Sequence, residues 1–352
     1  MDVQQTHQIV PYFSSIPIQQ PDSATTLKVS SLSTQLQAIS TAKGLFSIVP
    51  GTFKQAQQAS GLSDQFMVEM KDEEGHLHKI RGKRIENLNE AIVFHRLQKS
   101  KDPLSQFVPP FVGVIDADGS EINLADLLQQ HTIEELCLDN RYQNCYILMA
   151  DLAAGTSIAK DAKIRDFKFA RPALQGQEIE ESLHGRSPIN FIRKIIRRLY
   201  FSLSGCSFAF QKSTKVTNWY EIVISSFKRA WHIRKTQEKL MNQFNRLEAS
   251  QLCAVLERLT DMQSAVKRSQ YVMTDASLLF IPTAVRGQDG STVNKLNLHI
   301  IDLAHGLAED EVSNCPQAST THSEMRQELL SALTELKLNV GTLINHRLDN
   351  TL

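Results

Sequence analysis

The stretch DQFMVEMKDEEGHLHKI, Asp64 to Ile80, decides the fold. Its first seven residues read as a strand, KDEEG as a turn, and HLHKI as the returning strand, so the whole is a β-hairpin. Outward from it, IENLNEAIVFHRLQ (Ile85 to Gln98) carries Leu88, Ile92, Val93 and Leu97 at helical spacing and predicts an amphipathic helix. FVPPFVGVID must be extended, because Pro109 and Pro110 forbid a helix interior. NCYILMADL is a buried strand.

The first 150 residues therefore run hairpin, helix, strand, strand. That is the order of a small nucleotide-binding lobe in kinase-like folds. Beyond it the chain turns helical. SPINFIRKIIRRLYFSL begins on Ser-Pro and carries a basic face, and NWYEIVISSF through AVKRS holds two or three helices. Two strands, SLLFIPTAV and NLHIIDLAHG, return around the turn RGQDGS, and HSEMRQELLSALTELKLNVGTLINHRL is a long final helix. The class is α+β in two lobes. The expected domains are an N-terminal extension over 1–44, rich in Gln, Ser and Thr, a small lobe over 45–150, and a larger lobe over 151–352. The larger lobe holds a helical insert at about 185–268.

The 352 residues suffice for a sizeable core, and 41% hydrophobic with 22% charged residues is ordinary for a globular protein. Lys+Arg and Asp+Glu both number 38. This balance points away from nucleic acid and confines any anion site to a local patch. Five scattered cysteines form no C-x-x-C, which suggests neither zinc nor a disulfide framework and fits a reducing, cytoplasmic setting. No apolar run approaches about 18 residues, so no membrane span is expected, and the N-terminus lacks a secretory signal pattern.

Five places could carry chemistry. In IRDFKFA, Asp166 and Lys168 share one strand face, while Phe167 and Phe169 share the other and can anchor it. The competing reading is a solvated strand face. The apolar strand of NLHIIDLAHG ends in Asp302, suited to a Mg²⁺ ion that also takes phosphate oxygens, or to a simple cap. YILMADLAAG ends a strand at Ala150 to Leu152, either a lobe-connecting hinge or an ordinary turn. Lys79 on the return strand and Glu90 on the helix suit the kinase device of a Lys steadied by a helix Glu, with Lys83 a competing choice. Arg193, Lys194, Arg197 and Arg198 recur at helical spacing, as a phosphate grip, an acidic-membrane contact or a solvated face.

In their order along the chain, these pieces resemble the inositol polyphosphate kinase family. AKIRDFKFA is similar to its Pro-x-x-x-Asp-x-Lys-x-Gly motif, with Ala162 and Ala170 replacing Pro and Gly. ILMADLAAG resembles its hinge, with Ala150 in place of Glu; SLLFIP resembles its Ser-Ser-Leu-Leu strand and IIDLAHG its Ile-Asp-Phe-Ala-His. NEAIVFHRLQKSKDPLSQFVPPFVGV is similar to the small-lobe helix and the Phe-Val-Pro segment after it. The resemblance spans roughly residues 60 to 345. It implies a two-lobed, protein-kinase-related, ATP-grasp-like fold and transfer of the ATP γ-phosphate to an inositol polyphosphate hydroxyl, with ATP and Mg²⁺. By position it implies Lys79 and Glu90 at the ATP phosphates, and Ala150 and Leu152 offering backbone to adenine. Asp166 would stand at the ribose and the inositol hydroxyl, Lys168 at substrate phosphate, and Asp302 supported by Ser277 at the metal. Arg193, Lys194, Arg197 and Arg198 would grip substrate. Two alternatives stay open: a diverged kinase of proteins, and a binding module without turnover that acts through an inositol phosphate or a protein partner. The Gln-rich composition also suits a bacterial protein delivered into a host cell.

Overall fold

The computed structural model describes residues 38–41, 44–55, 65–85, 88–142, 144–154, 157–158, 164–169, 208–210, 236–274, 276–286, 292–303, 305–308 and 316–349. The hairpin that decides the fold is β4 (Gln65–Lys71) and β5 (Leu77–Arg84), paired antiparallel from Lys71↔Leu77 to Gln65↔Lys83. β5 is thus longer than HLHKI. Its pairing continues until the Ile85 amide donates to the Cys145 carbonyl, which is why the helix α1 starts only at Asn89 (Asn89–Lys99).

β1 (Ala38–Thr41), β2 (Gly44–Ile48), β3 (Lys54–Gln55), β6 (Phe111–Ile115) and β7 (Tyr146–Ala150) complete a seven-stranded sheet in the order β1-β2-β4-β5-β7-β6, with β3 on β4. β1 and β2 form a hairpin of their own, so the boundary expected at residue 44 falls inside it. One face of this sheet closes on a small core of Phe46, Phe66, Val68, Met70, Ile80 and Leu148, flanked by Ile115 and Tyr146. The opposite face packs α1, which buries Ile92, Val93, Phe94 and Leu97 as its spacing predicts.

A second sheet of five strands lies beyond Ala150. β8 (Ser157–Ile158), β9 (Arg165–Phe169), β10 (Phe208–Phe210), β12 (Ser277–Arg286) and β13 (Thr292–Ile301) run in the order β10-β9-β12-β13, with β8 on β12. Two short strands, β11 (Tyr271–Thr274) and β14 (His305–Ala308), pair separately. Helix α5 (Ala249–Arg268), preceded by α4 (Thr236–Phe244), covers the apolar face of this sheet; α2 (Leu124–Gln130) and α3 (Ile133–Leu138) connect β6 to β7. The final helix α6 (Pro316–Asp349) buries Leu329, Ala332, Leu333, Leu336 and Val340 at 3–4-residue spacing against α5, where Gln263 bonds both Thr334 and Lys337. The architecture is mixed α+β, as the sequence predicts.

The junction between the sheets is tight. One hydrophobic core runs from α1 through Phe167, Leu278 and Phe280 to α5 and α6. Asp102, 5% exposed, caps a 3₁₀ turn at Pro103–Phe107 through the Leu104 amide (2.8 Å) and also accepts from the Gln270 amide (3.0 Å). Arg258 of α5 stacks on the Phe107 ring, 4.1 Å from its centroid, and donates to the Gln106 carbonyl.

Candidate functional site

Strand parity sets the site. On β5, Ile80 and Gly82 face the small core, so Lys79, Arg81 and Lys83 share the other face. Of these three, Lys83 reaches Glu90: its Nζ lies 2.8 and 3.0 Å from the two Glu90 carboxylate oxygens. The same Nζ stands 2.7 Å from Oδ1 of Asp302. The expected Lys79–Glu90 pair is not formed. Lys79 is exposed and stands beside the end of β7, its carbonyl accepting from the Asp151 amide at 2.8 Å. One pleat separates successive residues on a strand face, so Lys79 lies two pleats short of α1.

Burial works hardest on the Lys83 ammonium and would lower its pKa; the charges of Glu90 and Asp302 outweigh it and hold the group above its ordinary value. Lys83 is therefore cationic across the physiological range. Asp302 directly follows β13 and has φ of 62°, in the left-handed region that Asp tolerates better than most residues. That turn aims one carboxylate oxygen at Lys83 and the other at the Ser277 hydroxyl, which donates at 3.3 Å. Ser277 itself is fully buried and paired across from Ile301, next to Asp302.

The residues fit a Mg²⁺ that arrives with a nucleotide. Such an ion takes one or two carboxylates and fills its shell with phosphate oxygens and water, and Asp302 is one carboxylate with a hydroxyl behind it. Among the described residues no cluster of three or more His, Cys, Asp or Glu forms a cage.

Asp166 lies on β9, 2% exposed, opposite Leu279 of β12, and Lys168 stands in register with Ser277. The Asp-x-Lys backbone is thus one strand away from the Ser277–Asp302 pair. Phe167 points the other way, fully buried, edge-on to Phe280 at 4.9 Å between centroids. Cross-strand aromatic pairs of this kind lock register, and this one fixes which face carries Asp166. Arg193, Lys194, Arg197 and Arg198 lie outside the described residues, as do Ala162 and Ala170.

At the end of β7, the Ala150 amide donates to the Pro110 carbonyl (2.9 Å). Proline has no N–H to return, so the Ala150 carbonyl receives no ladder bond from that neighbour. Leu152 follows in a turn and is half-buried.

Two residues escaped the sequence reading. Gly306 lets β14 approach α1: a Cβ there would sit 2.9 Å from both methyls of Val93, so the glycine keeps the Glu90 helix against the strand after Asp302. His299 shares the sheet face of Leu279 and Asp166. Burial first, and the Arg258 charge second, lower its pKa to about 4. The unfolded chain holds this group near its ordinary value of about 6.5. Between those values the unfolded state binds more protons, so stability is complete above pH 6.5 and falls as pH drops toward 4. His299→Gln is expected to flatten the unfolding midpoint against pH across that window; an unchanged slope contradicts the assignment.

Residues 194–339, less than half of the chain, match the family model described as inositol polyphosphate kinase. The resemblance read in the sequence is borne out over that stretch. Among solved structures, the inositol phosphate multikinase of S. cerevisiae, in complex with ADP and Mn²⁺, is similar at 14% identity and a TM-score of 0.40, covering 72% of this chain and 98% of that one. Comparison with curated protein sequences found no match. Among the described residues, no helix is long and apolar enough to cross a membrane.

Proposed function

We propose that this protein is an ATP- and Mg²⁺-dependent kinase that transfers the γ-phosphate to a hydroxyl of an inositol polyphosphate. The observation that carries the reading is the Lys83 ammonium, held 2.8 Å from Glu90 and 2.7 Å from Asp302, with Ser277 behind Asp302. A cation steadied by a helix carboxylate, facing a metal-suited aspartate, is equipment for phosphoryl transfer. The family match over residues 194–339 supports the inositol polyphosphate as acceptor.

In this reading Lys83 contacts the ATP phosphates and Glu90 keeps it aimed. The Ala150 carbonyl and the Leu152 backbone receive adenine. Asp166 touches the ribose and positions the attacking hydroxyl, and Lys168 takes a substrate phosphate or the group in transit. Arg193, Lys194, Arg197 and Arg198 grip the remaining phosphates. Asp302, supported by Ser277, holds Mg²⁺, which when bound neutralises charge on the β- and γ-phosphates. Catalysis then comes from positioning and fixed charge, which suits a transition state with little covalent demand on the protein. The intact ion cluster favours turnover over a binding-only module.

Asp302→Asn keeps the shape and removes the charge. It is expected to cut transfer by about 100-fold or more and to lower thermal stability less than Lys83→Met does, because Lys83 keeps Glu90 as a counter-charge. Full transfer by a folded Asp302→Asn variant would sink the assignment of this carboxylate.

A further inference from the structure

The face of β5 between Lys83 and the hinge is occupied by Arg81, a residue that the kinase reading leaves without a task. Lys83 serves phosphates, and the Ala150–Leu152 backbone serves a base, so the gap between them is where the base must lie. The residue one pleat from Lys83 toward the hinge hangs over that gap. Its cross-strand neighbours on the same face are Met67 and Met149.

Arg81 is not loose there. One guanidinium nitrogen donates to Oε1 of Gln65 at 3.0 Å and another to Oδ1 of Asp151 at 3.2 Å. The Asp151 side chain is 7% exposed and the Arg81 side chain 25%. Asp151 is itself fixed by the hydrogen bond that its backbone amide donates to the Lys79 carbonyl. Two partners on different segments, Gln65 of β4 and Asp151 just past β7, define the guanidinium plane rather than just its position. A planar, weakly hydrated cation pinned at its edges presents its face, and that face stacks on aromatic rings. In the second sheet, Leu279 of β12 and Ile301 of β13 are half-buried apolar residues on the face that carries Ser277 and Asp166.

We infer that Arg81 is the roof of the base slot: the nucleotide base stacks beneath its guanidinium, whose plane Gln65 and Asp151 hold. The inference rests on the nucleotide-binding reading of this site and adds a binding residue to it. It also gives Asp151 a task, as the residue that ties roof to hinge.

The test is direct binding, by calorimetry, of two probes to the full chain: ADP with Mg²⁺, and inorganic tripolyphosphate with Mg²⁺, which has no base. Arg81→Ala is expected to weaken ADP about 5–30-fold and to leave tripolyphosphate unchanged. Arg81→Lys should weaken ADP nearly as much, because an ammonium keeps the charge without the flat face. Asp151→Asn, which frees the plane but leaves the guanidinium, should weaken ADP less than either Arg81 variant and serves if Arg81→Ala does not fold. ADP binding by Arg81→Ala that equals or exceeds the wild type overturns the inference; the guanidinium would then be a hinge tie or a plug. Equal loss of both probes overturns it too, since the effect would be charge alone. ADP that fails to bind the wild type overturns both this inference and the kinase reading, whereas wild-type binding with no effect of Arg81→Ala overturns the roof alone.

Discussion

Lys83→Met is expected to lower phosphate transfer by about 10²–10³-fold, while Lys79→Met leaves it nearly unchanged. Both lysines lie on one face of β5, but only Lys83 meets Glu90 and Asp302. Removing it strips the site of the cation that would meet transferring phosphate. It also strands Glu90, 4% exposed, without its counter-charge, and breaking a buried ion pair by deleting one partner destabilises strongly. Stability and catalysis can be separated. Lys83→Met combined with Glu90→Gln should regain much of the lost stability and none of the activity. Recovery of activity in the double variant, or a larger loss from Lys79→Met than from Lys83→Met, would contradict the geometry. The assay is initial rate of transfer beside the thermal unfolding midpoint of each variant.

Gly82→Ala is expected to be the most damaging small substitution in the first sheet. A Cβ at Gly82 would fall 2.2 to 2.7 Å from three ring carbons of Phe66, its cross-strand partner. The ring has nowhere to go. It is 1% exposed and wedged between Phe53 and Tyr146, with centroids at 5.1 and 5.4 Å. Overpacking of this kind costs about 1–3 kcal/mol. Because Gly82 adjoins Lys83, any shift of β5 also moves the ammonium away from Glu90 and lowers activity. Phe66→Leu should relieve the clash, so the double variant should be less destabilised than the two single effects added together. Simple additivity in thermal unfolding would show that the ring does not depend on the glycine's missing side chain.

The same glycine explains the main misreading of the sequence. HLHKI looks like a complete strand because RGKR after it is basic and contains a glycine, a pattern that reads as strand-ending. Register would have corrected this. A turn at KDEEG pairs Lys71 with Leu77, and seven residues of β4 then need seven partners, ending with Gln65 opposite Lys83. With β5 drawn to that length, Lys79 and Lys83 fall on one face and only the second comes near the following helix. Spacing to Glu90 alone could not choose between them. Asp166 was easier to read, because Phe167 between two charged residues states which face joins the hydrophobic core. Asp302 was legible as a charge ending an apolar strand, but its contact with Lys83 spans 219 residues of sequence and no local pattern encodes it. The hairpin of β1 and β2 was missed because a polar, Ser- and Thr-rich stretch resembles an extension until a neighbouring strand pairs with it.

The fate of the γ-phosphate tests the kinase reading. Wild-type protein is incubated with γ-labelled ATP, Mg²⁺ and a panel of purified inositol polyphosphates, with a protein mixture present as competing acceptor. The expected result is label on one or more soluble inositol species, each gaining one phosphate, and none on protein. Label on protein alone would replace the acceptor class. No label on any inositol polyphosphate, from folded protein that binds ADP, would contradict the account.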